Sequence, residues 1–262
     1  MSEPSSFRPG LFAGRTLAIT GGSTGIGLAI AQAFARLDAD VHVLSRKPDH
    51  LANAATALQG LGKGKVGTHA CDVRQPTQLE AAARAIGKVD ALVNAAAGNF
   101  PVPFDAMTPN AWGTVVDIVL NGTANTCRAF RPVLAKEASV TNIVAGYAWT
   151  GAPGVSHSGA AKAGVLNLTR SLAVEWAPVR VNAVSPGPID GTEGIKRLAD
   201  DLGLRGQLEG SVPLRRMGRA GEVAQACVFL ASPAASFVTG ACLVVDGGQD
   251  ARGPFGSLLA GG

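Results

Sequence analysis

The sequence predicts one large α/β domain, and three observations carry that prediction. Short apolar runs alternate with amphipathic stretches almost throughout the 262 residues, the pattern of repeated strand–helix units. A glycine-rich turn, Gly21-Gly22-Ser23-Thr24-Gly25-Ile26-Gly27, stands between the first apolar run and the first helix. No long linker divides the chain, although its length alone would allow two domains. With 47% hydrophobic and 16% charged residues, the chain can bury a sizeable core.

Leu17, Ala18 and Ile19 form the first strand, and Ile26, Ile30, Phe34 and Leu37 recur at helical spacing behind the turn. Glycines there adopt backbone angles that other residues avoid and let a phosphate come close. The helix start adds unpaired N–H groups and a positive dipole end. An ordinary turn would also use glycine, so the second strand decides. Val41-His42-Val43-Leu44 runs into Ser45-Arg46-Lys47. Where a carboxylate would hold a ribose 2′-hydroxyl, the chain has a serine and two cations. That suits the 2′-phosphate of NADP(H), with Arg46 gripping its oxygens and Lys47 as a point charge beside it.

Asp49 to Gln59 reads as a helix and Lys65 to Cys71 as a third strand, ending in Asp72-Val73. The Asp72 carboxylate either accepts from an adenine amino group or caps a turn. Pro76 to Ile86 is the next helix, and Val89 to Val93 is a buried strand running into Asn94-Ala95-Ala96-Ala97-Gly98. Those small residues let a cofactor lie against the backbone, while Asn94 can tie adjoining strands; either role puts the segment at the sheet's carboxyl edge. Thr108 to Leu134 is a long helical stretch interrupted by Asn121-Gly122. A helical glycine costs about 1 kcal/mol relative to alanine, so a kink or close packing is expected there, with Asn121 facing the crevice.

Val140 to Ala145 is the fifth strand, followed by Tyr147, the single tyrosine. Ser156 to Trp176 is a helix carrying Lys162, and Val179 to Val184 is the sixth strand, ending in Ser185 to Thr192. Glu193 to Leu208 reads as a helical flap, Glu222 to Leu230 as the last long helix, and Ala241 to Val245 as the seventh strand. The Gly-rich tail that follows is either mobile or a subunit contact.

The net charge of +4 suits polyanionic small molecules such as NADP or coenzyme A. No basic run or aromatic–basic interleaving points to nucleic acid. Cys71, Cys127, Cys227 and Cys242 are scattered without metal-ligand spacing and read as reduced thiols, with no metal site. Met1 to Gly10 lacks an apolar signal core, and no apolar run reaches the roughly 18 residues of a membrane span. The last residues, Ala260-Gly261-Gly262, are not the peroxisomal Ser-Lys-Leu address. A soluble cytoplasmic protein is the resulting expectation.

Taken together, Thr20 to Gly27, Asp72-Val73, Asn94 to Gly98, Asn121, Lys162 and Pro186 to Thr192 resemble the short-chain dehydrogenase/reductases over roughly residues 12 to 249. The resemblance implies one Rossmann-type domain, a seven-stranded parallel sheet flanked by helices on both faces, assembled as a homotetramer. It implies that Ser23, Thr24 and Ile26 line the phosphates beside Gly21, Gly25 and Gly27. It places adenine on Asp72 and Val73, the cofactor against Asn94, Ala95 and Ala96, and the nicotinamide ribose on Lys162. Pro186, Gly187 and Ile189 would seat the nicotinamide, with Thr192 near the pyrophosphate.

One departure bears on function. The family's common catalytic helix carries Tyr-x-x-x-Lys with a serine upstream, whereas this chain has Ser158-Gly159-Ala160-Ala161-Lys162 and Ala145. A serine hydroxyl is a poor proton donor by itself. The 2,4-dienoyl-CoA reductases share the departure. Asn94 to Phe100 and Asp117 to Ala124 resemble their segments, as do Ser158 and the offset of Tyr147. His157 and Pro186 to Gly194 resemble their peroxisomal type. This resemblance implies NADPH-dependent reduction of a 2,4-dienoyl-CoA or similar conjugated acyl-CoA to 3-enoyl-CoA, within fatty acid β-oxidation. Hydride adds at C5, and charge spreads to a thioester oxygen roughly 5 Å away. Tyr147 and Asn121 would stabilise that dienolate as an oxyanion hole does. Ser158, Asn99 and Phe100 would contact the acyl thioester, and His157 reads as a helix-start or entrance residue. Two other readings stand beside this one: a reductase of another activated alkene or carbonyl, and a non-catalytic NADP-binding sensor or subunit.

Overall fold

The structure is a computed structural model and describes residues 6–201 and 203–252. The tail expected beyond residue 252, the first five residues and residue 202 of the expected flap lie outside it. Thr16–Thr20 (β1) leads through the glycine turn to Gly25–Ala35 (α1), then Asp40–Ser45 (β2), Pro48–Leu58 (α2), Val66–Ala70 (β3), Pro76–Ile86 (α3) and Val89–Asn94 (β4). Pro48 and Pro76 stand at helix starts, where the missing N–H costs nothing. Pro109–Val116 (α4), a π turn at Asp117–Asn121 and Gly122–Phe130 (α5) follow, then Leu134–Ile143 (β5), Ser156–Glu175 (α6) and Arg180–Pro186 (β6). The flap is built from Glu193–Ile195 (α7), a π turn at Lys196–Asp200 and Arg205–Ser211 (α8). Ala220–Ala231 (α9) and Cys242–Val245 (β7) complete the order.

The strands form one seven-stranded sheet in the order β3-β2-β1-β4-β5-β6-β7, every neighbouring pair parallel. One face is packed by Ile30 and Phe34 of α1, Leu51 and Leu58 of α2, and Val223 and Val228 of α9. The other is packed by Leu79 of α3, Val115 of α4, Phe130 of α5, and Val165 and Leu172 of α6. Parallel strands buried on both faces are the doubly wound arrangement, and the order reverses between β1 and β4. The crevice at the carboxyl ends of those strands is where such sheets take a ligand.

Two sequence expectations are corrected. The long helix does not reach Leu134: it ends at Phe130, a 3-10 turn follows at Arg131–Val133, and β5 begins at Leu134, six residues before the expected start. Pro132 cannot continue the helix. Lys136 and Glu137, both exposed, break the apolar run that would have announced the strand. The pairing of β5 with β4 is irregular over the same stretch. The interruption at Asn121-Gly122 is real and takes the form of a π turn at Asp117–Asn121. Gly122 is packed so closely that a Cβ on it would stand 2.6 Å from Val73 Cγ2. Among the described residues, no helix is long and apolar enough to cross a membrane.

Candidate active site

The turn after β1 needs its glycines. Gly21 has φ +68°, and a Cβ there would lie 2.7 Å from the backbone of Ala95 and Ala96. A Cβ on Gly27 would collide with the Gly21 carbonyl. The turn and the segment after β4 therefore touch backbone to backbone, and α1 starts at the mouth of the crevice. Thr24 and Gly25 are exposed, and no side chain caps α1, which leaves its first N–H groups to an anionic ligand. Ser23 is buried, and its hydroxyl donates to Ser45 Oγ at 2.9 Å, fastening the turn to the end of β2. Ile26 is half-buried. The methyl of Thr192 lies over the same turn, 3.9 Å from where a Cβ on Gly25 would stand.

Arg46 and Lys47 follow β2, both exposed. Asp72 sits across from them at the end of β3, and its carboxylate is taken by Arg74, whose Nη2 donates at 2.6 Å and Nε at 3.1 Å. The Arg74 hydrogen bonds, and more weakly the charge of Arg46, hold the Asp72 carboxyl below the usual carboxylate range. Arg74 and Arg46 thus both act on this one carboxylate, with Lys47 the next residue after Arg46. Sequence reasoning missed Arg74, because its pairing depends on a tight turn two residues after Asp72. Val73 is buried, and its carbonyl accepts from Asn125 Nδ2 at 3.2 Å.

Asn94 ties strands. Its buried Nδ2 donates to Asn142 Oδ1 at 2.8 Å, and Asn142 passes the chain on to Thr169 at 2.9 Å. Asn94 and Asn142 are register partners in β4 and β5. Ala95 and Ala96, both half-buried, continue the wall. On the far side, Pro186 ends β6. The Gly187 N–H donates to the Val245 carbonyl at 3.0 Å, and a Cβ on Gly187 would stand 2.7 Å from Asp246 Cα. Ile189 is buried beneath this stretch. Thr192 caps the flap helix by accepting from the Ile195 N–H at 3.4 Å, while its hydroxyl donates to the Ile189 carbonyl at 2.8 Å.

The chemistry-bearing cluster is Tyr147, Ser158 and Lys162. Ser158 and Lys162 are one helical turn apart on α6, and both are buried. Tyr147 is half-buried on the 3-10 turn Gly146–Ala148, just past β5. Trp149 Nε1, donating to Asp250 Oδ1 at 2.8 Å, holds that turn. Ser158 Oγ donates to the Tyr147 phenol oxygen across a long 3.5 Å. Lys162 Nζ donates to the Ile143 carbonyl at the end of β5, and burial pushes its pKa down to about 8. The arrangement can place a phenol, a hydroxyl and an ammonium around one substrate end.

Asn121 is not drawn into that cluster. It is exposed, and its Nδ2 donates to Asp117 Oδ1 at 2.7 Å, one turn back along the π segment, where a carboxylate offers a stronger acceptor. Asn99 and Phe100 lie between the flap and α6. Arg197 Nη1 donates to the Asn99 carbonyl at 3.1 Å, and the Phe100 ring meets His157 edge-on with centroids 4.9 Å apart. His157 is fully buried rather than at an entrance, and burial lowers its pKa. All four cysteines are free.

The chain matches the family described as enoyl-(acyl carrier protein) reductase over residues 21–250. It is 41% identical over 245 residues to a probable 2,4-dienoyl-CoA reductase of Bacillus subtilis, described as (2E)-enoyl-CoA-producing, covering 90% of this chain and 96% of that protein. It is 41% identical over 250 residues to the peroxisomal 2,4-dienoyl-CoA reductase of Danio rerio, described as (3E)-enoyl-CoA-producing, covering 92% and 83%. Among solved structures, a short chain dehydrogenase from Bacillus anthracis superposes with a TM-score of 0.82 at 38% identity, covering 90% of this chain and 96% of that one. The expectation of a cytoplasmic protein is overturned by these relatives, because the Danio rerio protein and several others of similar identity are peroxisomal by name.

Proposed function

The chain belongs to the short-chain dehydrogenase/reductase family and is an oxidoreductase closely related to the 2,4-dienoyl-CoA reductases; on that premise we propose that it reduces a 2,4-dienoyl-CoA, or a similar conjugated acyl-CoA, to a 3-enoyl-CoA with NADPH. The observation that carries the reading is the phenol of Tyr147 beside Ser158, one turn from Lys162, with no tyrosine at the family's usual place on α6.

The crevice fits a dinucleotide. The uncapped start of α1 takes the pyrophosphate, and the Asn94 to Ala96 backbone and Pro186 to Ile189 wall the nicotinamide end. Lys162 takes the ribose hydroxyls there, and Arg46 with Lys47 takes the 2′-phosphate. When bound, NADPH supplies the hydride. Tyr147 then acts at the far end of the conjugated system. Its phenol donates to the thioester oxygen on which negative charge accumulates, and a preorganised donor of this kind is worth about 3–4 kcal/mol of barrier. Ser158 orients that phenol, and Lys162 lends a nearby positive charge. Asn121 would join as a second donor once its amide leaves Asp117, a rotation of one exposed side chain. Protonation at the α-carbon completes the 3-enoyl product. A second copy of the chain, as in a homotetramer, would bury the exposed edge of β7.

The test is an assay of the purified protein with 2,4-hexadienoyl-CoA, NADPH or NADH, and simple ketones, with the position of the remaining double bond read by NMR. Oxidation of NADPH with the dienoyl-CoA and formation of a 3-enoyl product is the expected result. Turnover of ketones alone would transfer the protein to carbonyl reduction. Binding of NADPH with no turnover of any substrate would leave a sensor or subunit. Arg46→Ala is expected to weaken NADPH about tenfold more than NADH, and an unchanged ratio would remove the 2′-phosphate assignment.

A further inference from the structure

Three side chains fall short of hydrogen-bond partners where the loop after β4 meets the start of α6: Asn99 Oδ1 and Ser156 Oγ have none, and the His157 ring has only a poorly aligned approach to the Val155 carbonyl. His157 is completely buried. An unpaired buried polar group costs folding free energy, and native proteins keep few of them. Three such residues in one place point to a ligand that supplies what they lack.

Neighbouring groups close over these atoms, and a ligand reaches them as Phe100 and Arg197 give way. The Val102 N–H donates to the Gly154 carbonyl at 2.9 Å, locking the loop against the approach to α6. Arg197 of the flap grips the Asn99 carbonyl at 3.1 Å, and Phe100 wedges edge-on against His157. Ser158, the next residue after His157, is already committed to Tyr147. The unpaired atoms therefore border the place where the thioester would lie without belonging to the cluster that acts on its oxygen.

An acyl chain has no polar atom to offer them. On the other side of the sulfur, two methylenes along, an acyl-CoA carries its first secondary amide, which presents one N–H and one carbonyl. Asn99 Oδ1 is an acceptor for the N–H. The neutral imidazole of His157 and the Ser156 hydroxyl can each donate to the carbonyl. We propose that Asn99, Ser156 and His157 form the subsite for the cysteamine amide of the pantetheine arm. This subsite rests on the acyl-thioester reading above and deepens it: the enzyme recognises the carrier by its amide, independently of the acyl chain.

The probe is a pair of small 2,4-hexadienoyl thioesters, one of N-acetylcysteamine and one of 2-mercaptoethyl acetate, in which an ester oxygen replaces the amide N–H. The wild-type protein is expected to favour the amide by about tenfold or more in kcat/KM, mostly through KM. Asn99→Leu and His157→Phe bring that ratio towards one while NADPH binding stays unchanged, and His157→Gln, which keeps a polar edge, retains most of it. A wild-type ratio near one, or a preference that survives both apolar substitutions in variants that melt cooperatively, overturns the subsite. If neither thioester is reduced, the same ratio is read from binding of the saturated hexanoyl pair to the NADPH complex by calorimetry. A retained ratio there sinks the assigned reaction and keeps the subsite, and a ratio near one sinks the subsite.

Discussion

Lys162 shows how one side chain carries both a cost and a use. Its ammonium is buried with the Ile143 carbonyl as partner, and its pKa falls to about 8. In the unfolded chain the group titrates near 10.4. Above both values the folded and unfolded lysines are equally neutral. As pH falls from about 10.4 to about 8 the unfolded chain takes up the proton first, so folding loses stability over that window and stays penalised below it. Lys162→Met is therefore expected to raise the urea midpoint at pH 7, by at most about 3 kcal/mol in free energy, with the gain fading by pH 10.5. The same variant should lose coenzyme affinity. A lower midpoint at pH 7 would show that the ammonium stabilises the fold. Tyr147 lives at this scale too. In the proposed reaction Tyr147 is a donor to the thioester oxygen, so Tyr147→Phe is expected to cut kcat about 100- to 1000-fold while sparing NADPH affinity. Equal turnover by the two proteins would remove the phenol from the mechanism.

At the scale of an element, the π turn between α4 and α5 carries Asn121, and Gly122 just after it packs against Val73. Gly122 is present for space: a Cβ there would stand 2.6 Å from Val73 Cγ2, and Val73 is itself buried. Gly122→Ala is expected to cost about 1–3 kcal/mol by overpacking, seen as a lower melting temperature. Gly113, in the middle of α4, meets nothing within 4 Å of an added Cβ. Gly113→Ala should have the opposite sign, a gain of up to about 1 kcal/mol from helix propensity. Two glycines nine residues apart thus give opposite outcomes, and a matching sign would contradict the packing described for α5.

For the whole molecule, the sheet ends on β3, whose pairing with β2 includes a contact between His42 Nδ1 and His69 Nε2 at 3.1 Å. Gly67 makes room for the His42 ring: a Cβ there would be 2.4 Å from Nδ1. Burial lowers the pKa of both imidazoles, and for His42 the neighbouring His69 lowers it further. The folded state holds them neutral while the unfolded chain protonates near pH 6.5, so stability is complete above that value and falls as pH drops through it. His157 acts with the same sign. The urea midpoint is expected to decline from pH 7 to pH 5, and His42→Asn with His69→Gln should flatten part of that slope. An identical slope in the double variant would show that the pair is not the titrating element.

Much was legible from the chain alone because its signals are local. The alternation of apolar runs, the glycines of the first turn, the cations after Ser45 and the absence of a tyrosine four residues before Lys162 are each read within a few neighbouring residues. They determined the fold class, the coenzyme crevice and the departure at the catalytic helix. Tertiary structure decided what depends on partners distant in sequence. It set the early start of β5, where Leu134 pairs with Val89 of β4 ahead of residues without an apolar pattern. It sealed His157 behind Phe100 and gave the Asn99 carbonyl to Arg197 of the flap. Backbone conformation follows from neighbours in sequence, whereas burial and hydrogen-bond partnership exist only once strands and helices that are far apart in the chain have packed together.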